Sequence, residues 1–159
     1  MKLSDWRNSL FIADLLVVAL LIVGLSWAVL SLFAGPNVRK VEPSVLSEMR
    51  DVGQVIGEDT DIGHQWENDY AESKHLVVYL NPGTENDVVA ETEQRLRQAG
   101  WHVQSREPPE IHLRSAKWPG HYMVVEHLDG TDLLHDSLHN AVRASDLPLS
   151  RMAYIVVHR

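Results

Sequence analysis

The pattern of hydrophobic and polar positions separates a uniformly apolar stretch near the start of the chain from alternating segments that follow it. Leu15 to Ala34 is a run of twenty residues without a charged side chain. As a helix, this run would be about 30 Å long, which is the thickness of the hydrocarbon core of a bilayer. It is apolar on every side, whereas a surface helix of a small globular domain has a polar face. The pattern therefore predicts a transmembrane helix within residues 10–35.

The length of the apolar run favours a retained signal anchor, because a cleaved signal peptide has an apolar run of about 7–15 residues. A cleaved signal and a buried helix are the less favoured alternatives. Lys2 and Arg7 precede the run and Arg39 and Lys40 follow it, so the basic residues alone do not set the orientation. The amino terminus and the short leader favour a cytoplasmic tail at residues 1–9. The sequence thus predicts a single-pass protein of the plasma membrane, with its C-terminal domain outside.

Residues 36–73 are predicted to form a juxtamembrane helix and an acidic linker. Pro43 suits the first turn of a helix, and apolar residues recur at helical spacing as far as residue 56. Residues 57–73 are rich in aspartate and glutamate and resemble a linker or long loop. The apolar face of the helix would pack on the domain, dock a partner or, less favoured because of its acidic residues, lie on the bilayer. Its residues are Leu46, Met49, Val52 and Ile56.

The remaining segment, residues 74–159, alternates strand and helix patterns in the order β-α-β-β-β-α-β. The strands are short runs of β-branched and aromatic residues, such as residues 75–80, and the second helix is expected at about 132–144. The first helix is expected between an N-cap at Thr84 and a C-cap at Gly100. A strand–helix–strand unit favours parallel pairing of its two strands. The order therefore predicts an α+β domain whose mostly antiparallel sheet carries two helices on one face, a ferredoxin-like split βαβ with an extra strand.

Composition and charge exclude several classes of function. The 159 residues include no cysteine, which rules out disulfides, thiolate metal sites and cysteine catalysis. The formal net charge is −8 at pH 7, and an acidic domain repels nucleic acid. The sequence has neither a phosphate-binding glycine motif nor a G-x-S-x-G nucleophile motif. We therefore expect no nucleic-acid partner, no cofactor and no catalytic residues.

The nine histidines are the remaining candidates for chemistry. His135 and His139 lie one turn apart on the second predicted helix, a spacing that can chelate a metal ion. Asp136 stands where the zincin motif H-E-x-x-H has glutamate, and no third ligand follows at a regular spacing. The favoured interpretation is therefore a solvated helix face, with His135 and His139 as weak metal-binding candidates.

Other histidines alternate with apolar residues along the predicted strands. Alternation places His102 with Arg106, and His112 with Arg114, on the polar side of their strands. We interpret that side as the sheet face without helices. A plain solvent-exposed surface is favoured. The alternatives are a surface that docks a partner or binds a carboxylate or phosphate ligand, and, least favoured, a catalytic site.

The favoured function is a non-catalytic interaction module or accessory subunit of a larger membrane complex. Its partners would be the lipid bilayer, through Leu15–Ala34, and a membrane protein bound by the outer domain. The alternative is a membrane-tethered domain that senses a ligand or a metal ion with surface histidines. Hydrolase activity is less favoured, since no catalytic motif supports it.

Overall fold

A computed structural model of the chain describes residues 16–29, 37–66, 69–81, 87–128 and 135–159. The chain divides into two units, Met1–Pro36 and Asn37–Arg159. In the first unit, residues 16–29 form helix α1, and its large apolar side chains are exposed.

The structure corrects the prediction of a transmembrane helix. Within the described residues, no helix is both long enough and apolar enough to cross a membrane. Helix α1 has fourteen described residues. The single-pass and signal-anchor interpretations depended on that helix and are corrected with it. Leu15, residues 30–34 of the apolar run and the predicted tail at residues 1–9 lie outside the described residues.

The second unit is built on a seven-stranded sheet. Strand order is β2-β3-β7-β6-β5-β4, and β1 lies beside the start of β3. Among the described strands, β1 and β3 form the one parallel pair, and the other pairs are antiparallel. The strands are β1 (Asn37–Arg39), β2 (Gln54–Trp66), β3 (Asp69–Tyr79), β4 (Trp101–Glu107), β5 (Glu110–Ser115), β6 (Tyr122–His127) and β7 (Met152–His158). The helices are α2 (Pro43–Arg50), α3 (Val88–Gln98) and α4 (Asp136–Ala144), and a 3-10 turn covers Leu149–Arg151.

Helices cover both faces of this sheet, which contradicts the prediction of two helices on one face. Helices α2 and α3 pack on one face and form the main core with alternate residues of β3 and β7, such as Leu76 and Ile155. Helix α4 packs on the opposite face, where Leu138 meets Val77 and Tyr154. We call this second cluster the α4 core. Because β3 and β7 are covered on both sides, their residues are buried almost without alternation.

The strand order also differs from the predicted split βαβ arrangement. Strands β6 and β7 are antiparallel neighbours although α4 lies between them in the sequence. Strands β3 and β4, which flank α3, are separated in the sheet by β7, β6 and β5. Neither strand–helix–strand unit therefore pairs its two strands as parallel neighbours.

The predicted acidic linker at residues 57–73 is a β-hairpin. Residues 57–66 belong to β2 and residues 69–73 to β3, whereas 67 and 68 lie outside the described residues. Asp59 pairs with His75 across the two strands, and Asp61 pairs with Ser73. The acidic residues fit here because β2 is an edge strand, where charged side chains reach solvent and discourage pairing with other chains.

Both helices of the predicted α+β domain start later than expected. Helix α3 begins at Val88, where the Asp87 carboxylate accepts hydrogen bonds from the backbone N–H groups of Val89 (2.9 Å) and Ala90 (3.3 Å). This is an ordinary N-cap. Gly100 follows the helix with φ of 96°, as expected for a residue after a C-cap. Thr84, the predicted N-cap, and residues 132–134 of the second helix lie outside the described residues.

Gly57 on β2 permits the close approach of α4. A Cβ atom at this position would lie 3.0 Å from Ala141 Cβ and 3.1 Å from Leu138 Cδ2. We expect Gly57→Val to lower the free energy of unfolding by about 1–3 kcal/mol, because a larger side chain overpacks the α4 core. Urea denaturation measures this change. Gly63→Val is the matched control, since no atom lies within 4 Å of a Cβ there, and an equal loss in both variants would contradict the packing explanation.

Candidate functional site

The apolar residues predicted to dock a partner from α2 are core residues instead. Leu46, Met49 and Val52 are buried in the main core. Helix α2 ends at Arg50, and Ile56 belongs to β2, where it packs against the α4 core. Helical periodicity identified the buried face correctly, but that face packs on the sheet of its own domain. Leu46, Met49 and Val52 are therefore buried within their own domain, and Ile56 is half-buried.

A row of polar and aromatic side chains crosses the sheet on the α4 side. Strand pairing joins His158 to Tyr122, Tyr122 to Arg114, and Arg114 to His102. Directly paired residues point to the same face, so these four side chains form one line, which we call the open row. Tyr122, Arg114 and His102 are exposed. Helix α4 lies farther along this face, over β2 and β3.

The open row is held in place at its β7 end. The rings of Tyr122 and His158 stack with centroids 4.5 Å apart and an angle of 20° between their planes. His158 Nδ1 lies 2.7 Å from the hydroxyl oxygen of Ser73 on β3, a hydrogen-bond distance. Burial lowers the pKa of His158, so its ring is neutral at pH 7. The row therefore presents a fixed, uncharged aromatic pair beside the cationic Arg114.

The structure separates Arg106 from His102, which contradicts their predicted placement on one face. The pairing register of β4 and β5 shifts between Val103 and Ser105. This β-bulge turns Arg106 to the main-core face, where its guanidinium donates a 2.6 Å hydrogen bond to Glu93 of α3. His112 remains on the α4 side of the sheet with Arg114, as predicted, but pairs with Ser105.

Arg106 lines a cleft of about 470 Å³ between α3 and the β4–β5 hairpin. His127 lies in the same cleft, with its Nε2 atom 3.1 Å from the Asp87 carboxylate. Arg106 thus contacts Glu93, and His127 contacts Asp87, across the walls of this cleft. Arg106 and His127 both line this cleft. The other strand residues predicted to dock a partner lie on the opposite face of the sheet.

The ring of His135 contacts the ring of His75 on β3, although the two residues are far apart in the sequence. His135 is the N-cap residue of α4, and its ring centroid lies 4.7 Å from that of His75. His139 is half-buried on the same helix. Within the described ranges, no group of three or more His, Asp or Glu side chains is arranged around one metal position. The pair that the structure brings together is His75 and His135.

The sequence did not indicate His75, Tyr122 and His158 as site residues. His75 is buried, and its Nδ1 atom lies 2.6 Å from the hydroxyl of Tyr154. Tyr122 and His158 are adjacent only through the pairing of β6 with β7. The alternation of Tyr122 with the apolar Met123 indicated an outward-facing side chain, but nothing in the sequence indicated its neighbours.

Comparisons with known proteins name no family for this chain. No protein-family model, curated protein or solved structure matches it.

Proposed function

We propose that residues 37–159 form a non-catalytic protein-binding domain of a larger assembly, with the open row as its docking surface. The observation that supports this proposal is the alignment of Tyr122, Arg114 and His102 as exposed neighbours on one sheet face. Tyrosine and arginine are enriched among the residues that dominate binding energy at protein interfaces.

The chemistry of the open row indicates what kind of partner surface fits. Arg114 offers planar N–H donors that suit a carboxylate, and the stacked rings of Tyr122 and His158 offer a flat apolar surface. A partner that presents an acidic side chain next to an aromatic or aliphatic one complements both groups. Because Ser73 and the stacking fix His158, little side-chain freedom is lost there on binding.

The test is recovery of a partner by the tagged full-length chain, purified under mild conditions from the cells that make it. We expect Tyr122→Ala and Arg114→Ala to reduce partner recovery at least tenfold, since loss of a dominant contact costs about 2 kcal/mol or more. Arg97→Ala is the matched control because Arg97 is also an exposed arginine, on α3 at the other face.

Circular dichroism shows whether each variant is folded, so a loss of binding can be separated from a loss of structure. Full recovery with Arg97→Ala, together with loss in the two open-row variants, supports the proposal. A chain that purifies alone, or a partner recovered equally with all variants, contradicts it.

A further inference from the structure

His75 and His135 each leave one buried ring nitrogen without a hydrogen-bond partner. The two Nε2 atoms are buried and make no hydrogen bond. His75 as a whole is only 4% exposed. Buried polar atoms in folded proteins are normally paired, so two unpaired nitrogens on rings in contact indicate that something binds there.

The other nitrogen of each ring faces an oxygen atom. Nδ1 of His75 lies 2.6 Å from the Tyr154 hydroxyl, and Nδ1 of His135 lies 3.8 Å from Oδ2 of Asp59. The Asp59 carboxylate is itself held by the hydroxyl of Ser137 and by the backbone N–H of Thr60. The contact of His75 with Tyr154 is typical of a histidine that binds a metal through Nε2, because a hydrogen bond at Nδ1 fixes the ring orientation and the tautomer. The Asp59 carboxylate is too far from Nδ1 of His135 for a hydrogen bond.

The separation of the rings restricts the geometry of a shared ion. An ion about 2.0 Å from each Nε2 would lie about 3.2 Å from each ring centroid. With the centroids 4.7 Å apart, the angle between the two ligands at the ion is then about 95°. Such an angle fits neighbouring positions of a square-planar or tetrahedral ion.

We propose that His75 and His135 bind one divalent transition-metal ion of the copper, nickel or zinc class through their Nε2 atoms. Imidazole nitrogens suit these metals, and Cu²⁺ is expected to bind most tightly. Two protein ligands give a weaker site than a closed structural zinc centre with four. Burial is the main factor that lowers the pKa of His75 to about 4, so its ring is neutral at pH 7 and available as a ligand.

The test is titration of the full-length chain with Cu²⁺ and with Zn²⁺ by calorimetry at neutral pH. We expect His135→Ala to weaken binding at least tenfold and His139→Ala, the matched control on the same helix, to leave it unchanged. The electron paramagnetic resonance spectrum of the Cu²⁺ form should show coupling to two imidazole nitrogens, reduced to one in His135→Ala. Absence of binding, or equal binding by the wild type and His135→Ala, overturns the proposal.

Substitution of His75 removes a buried side chain and endangers folding, so Tyr154→Phe is the second variant. It keeps the aromatic ring in the α4 core but removes the oxygen that fixes the His75 tautomer. We expect it to weaken binding about 10–100-fold, the usual effect of losing such a contact. Wild-type affinity in this variant would contradict ligation through Nε2 of His75.

Discussion

Replacement of Trp101 by alanine is expected to lower the free energy of unfolding by about 3–5 kcal/mol. Trp101 is fully buried at the start of β4 and belongs to the main core between the sheet and its helices. The substitution removes the indole and leaves a cavity that the surrounding structure fills only in part. It also removes the hydrogen bond that Nε1 donates to Glu48 Oε2 of α2, at 3.2 Å.

The change is measured by urea denaturation followed by far-ultraviolet circular dichroism, which does not depend on the tryptophan that is removed. Trp118→Ala is the control. Trp118 is half-buried, and its Nε1 donates to the same Glu48 oxygen at 3.1 Å. Each variant loses a hydrogen bond to the same Glu48 carboxylate, but Trp101→Ala also removes more buried surface. Equal destabilisation in the two variants would show that the hydrogen bond, and not the core cavity, accounts for the loss.

Local patterns predicted much of the secondary structure after residue 74. The predicted strands at residues 75–80, 101–106 and 151–158 lie in or largely within β3, β4 and β7. Alternation of Trp101 and Val103 with polar neighbours predicted which side of β4 meets the main core. These features depend on residues close together in the sequence, so one sequence is enough to predict them.

The arrangement of these elements depends on distant contacts, and there the sequence was misleading. The acidic composition of residues 57–73 resembles a loop, because an exposed edge strand tolerates the same charged side chains as a linker. Without the hairpin, β3 would be an edge of the sheet. Since α4 packs mainly on β2, its position on the second face could not be predicted without that strand. The buried run Leu76–Val78 was a sign that both faces are covered, since a strand with one solvated face should alternate.

The candidate site shows the same division between local and distant information. His102 and Arg114 were selected correctly as outward-facing residues of neighbouring strands, and they are directly paired. One extra residue in β4 turned Arg106 to the other face, and a β-bulge has no reliable signature in a single sequence. His75 and His135 come from the centre of the sheet and from the start of α4, so only the packing of that helix reveals their contact.

Acidification from pH 7 to pH 4 is expected to cost the domain about 3 kcal/mol through His75 alone. Burial, followed by the positive charges that His135 and His158 would carry, lowers the pKa of His75 from 6.5 to about 4. Asp61 and Asp59 act in the opposite direction, and the hydroxyl of Tyr154 lies against Nδ1.

The sign of this effect follows from proton uptake. Between pH 6.5 and pH 4, the unfolded chain protonates His75 while the folded chain does not. The unfolded state then binds more protons, so stability falls as the pH falls through this range. Burial also lowers the folded pKa values of His158 and His121, which adds to the loss in the same direction.

Urea denaturation at a series of pH values separates the His75 contribution from the others. His75→Gln cannot take up a proton, so this variant should lose about 3 kcal/mol less than the wild type between pH 7 and pH 4, whatever its stability at pH 7. His139→Gln is the control, because His139 is a half-buried histidine on α4 outside the His75–His135 pair. If His75→Gln and the wild type lose the same stability on acidification, His75 is not the group that makes the fold acid-sensitive. If His139→Gln instead shows the smaller loss, the acid sensitivity originates on the helix and not at the centre of the sheet.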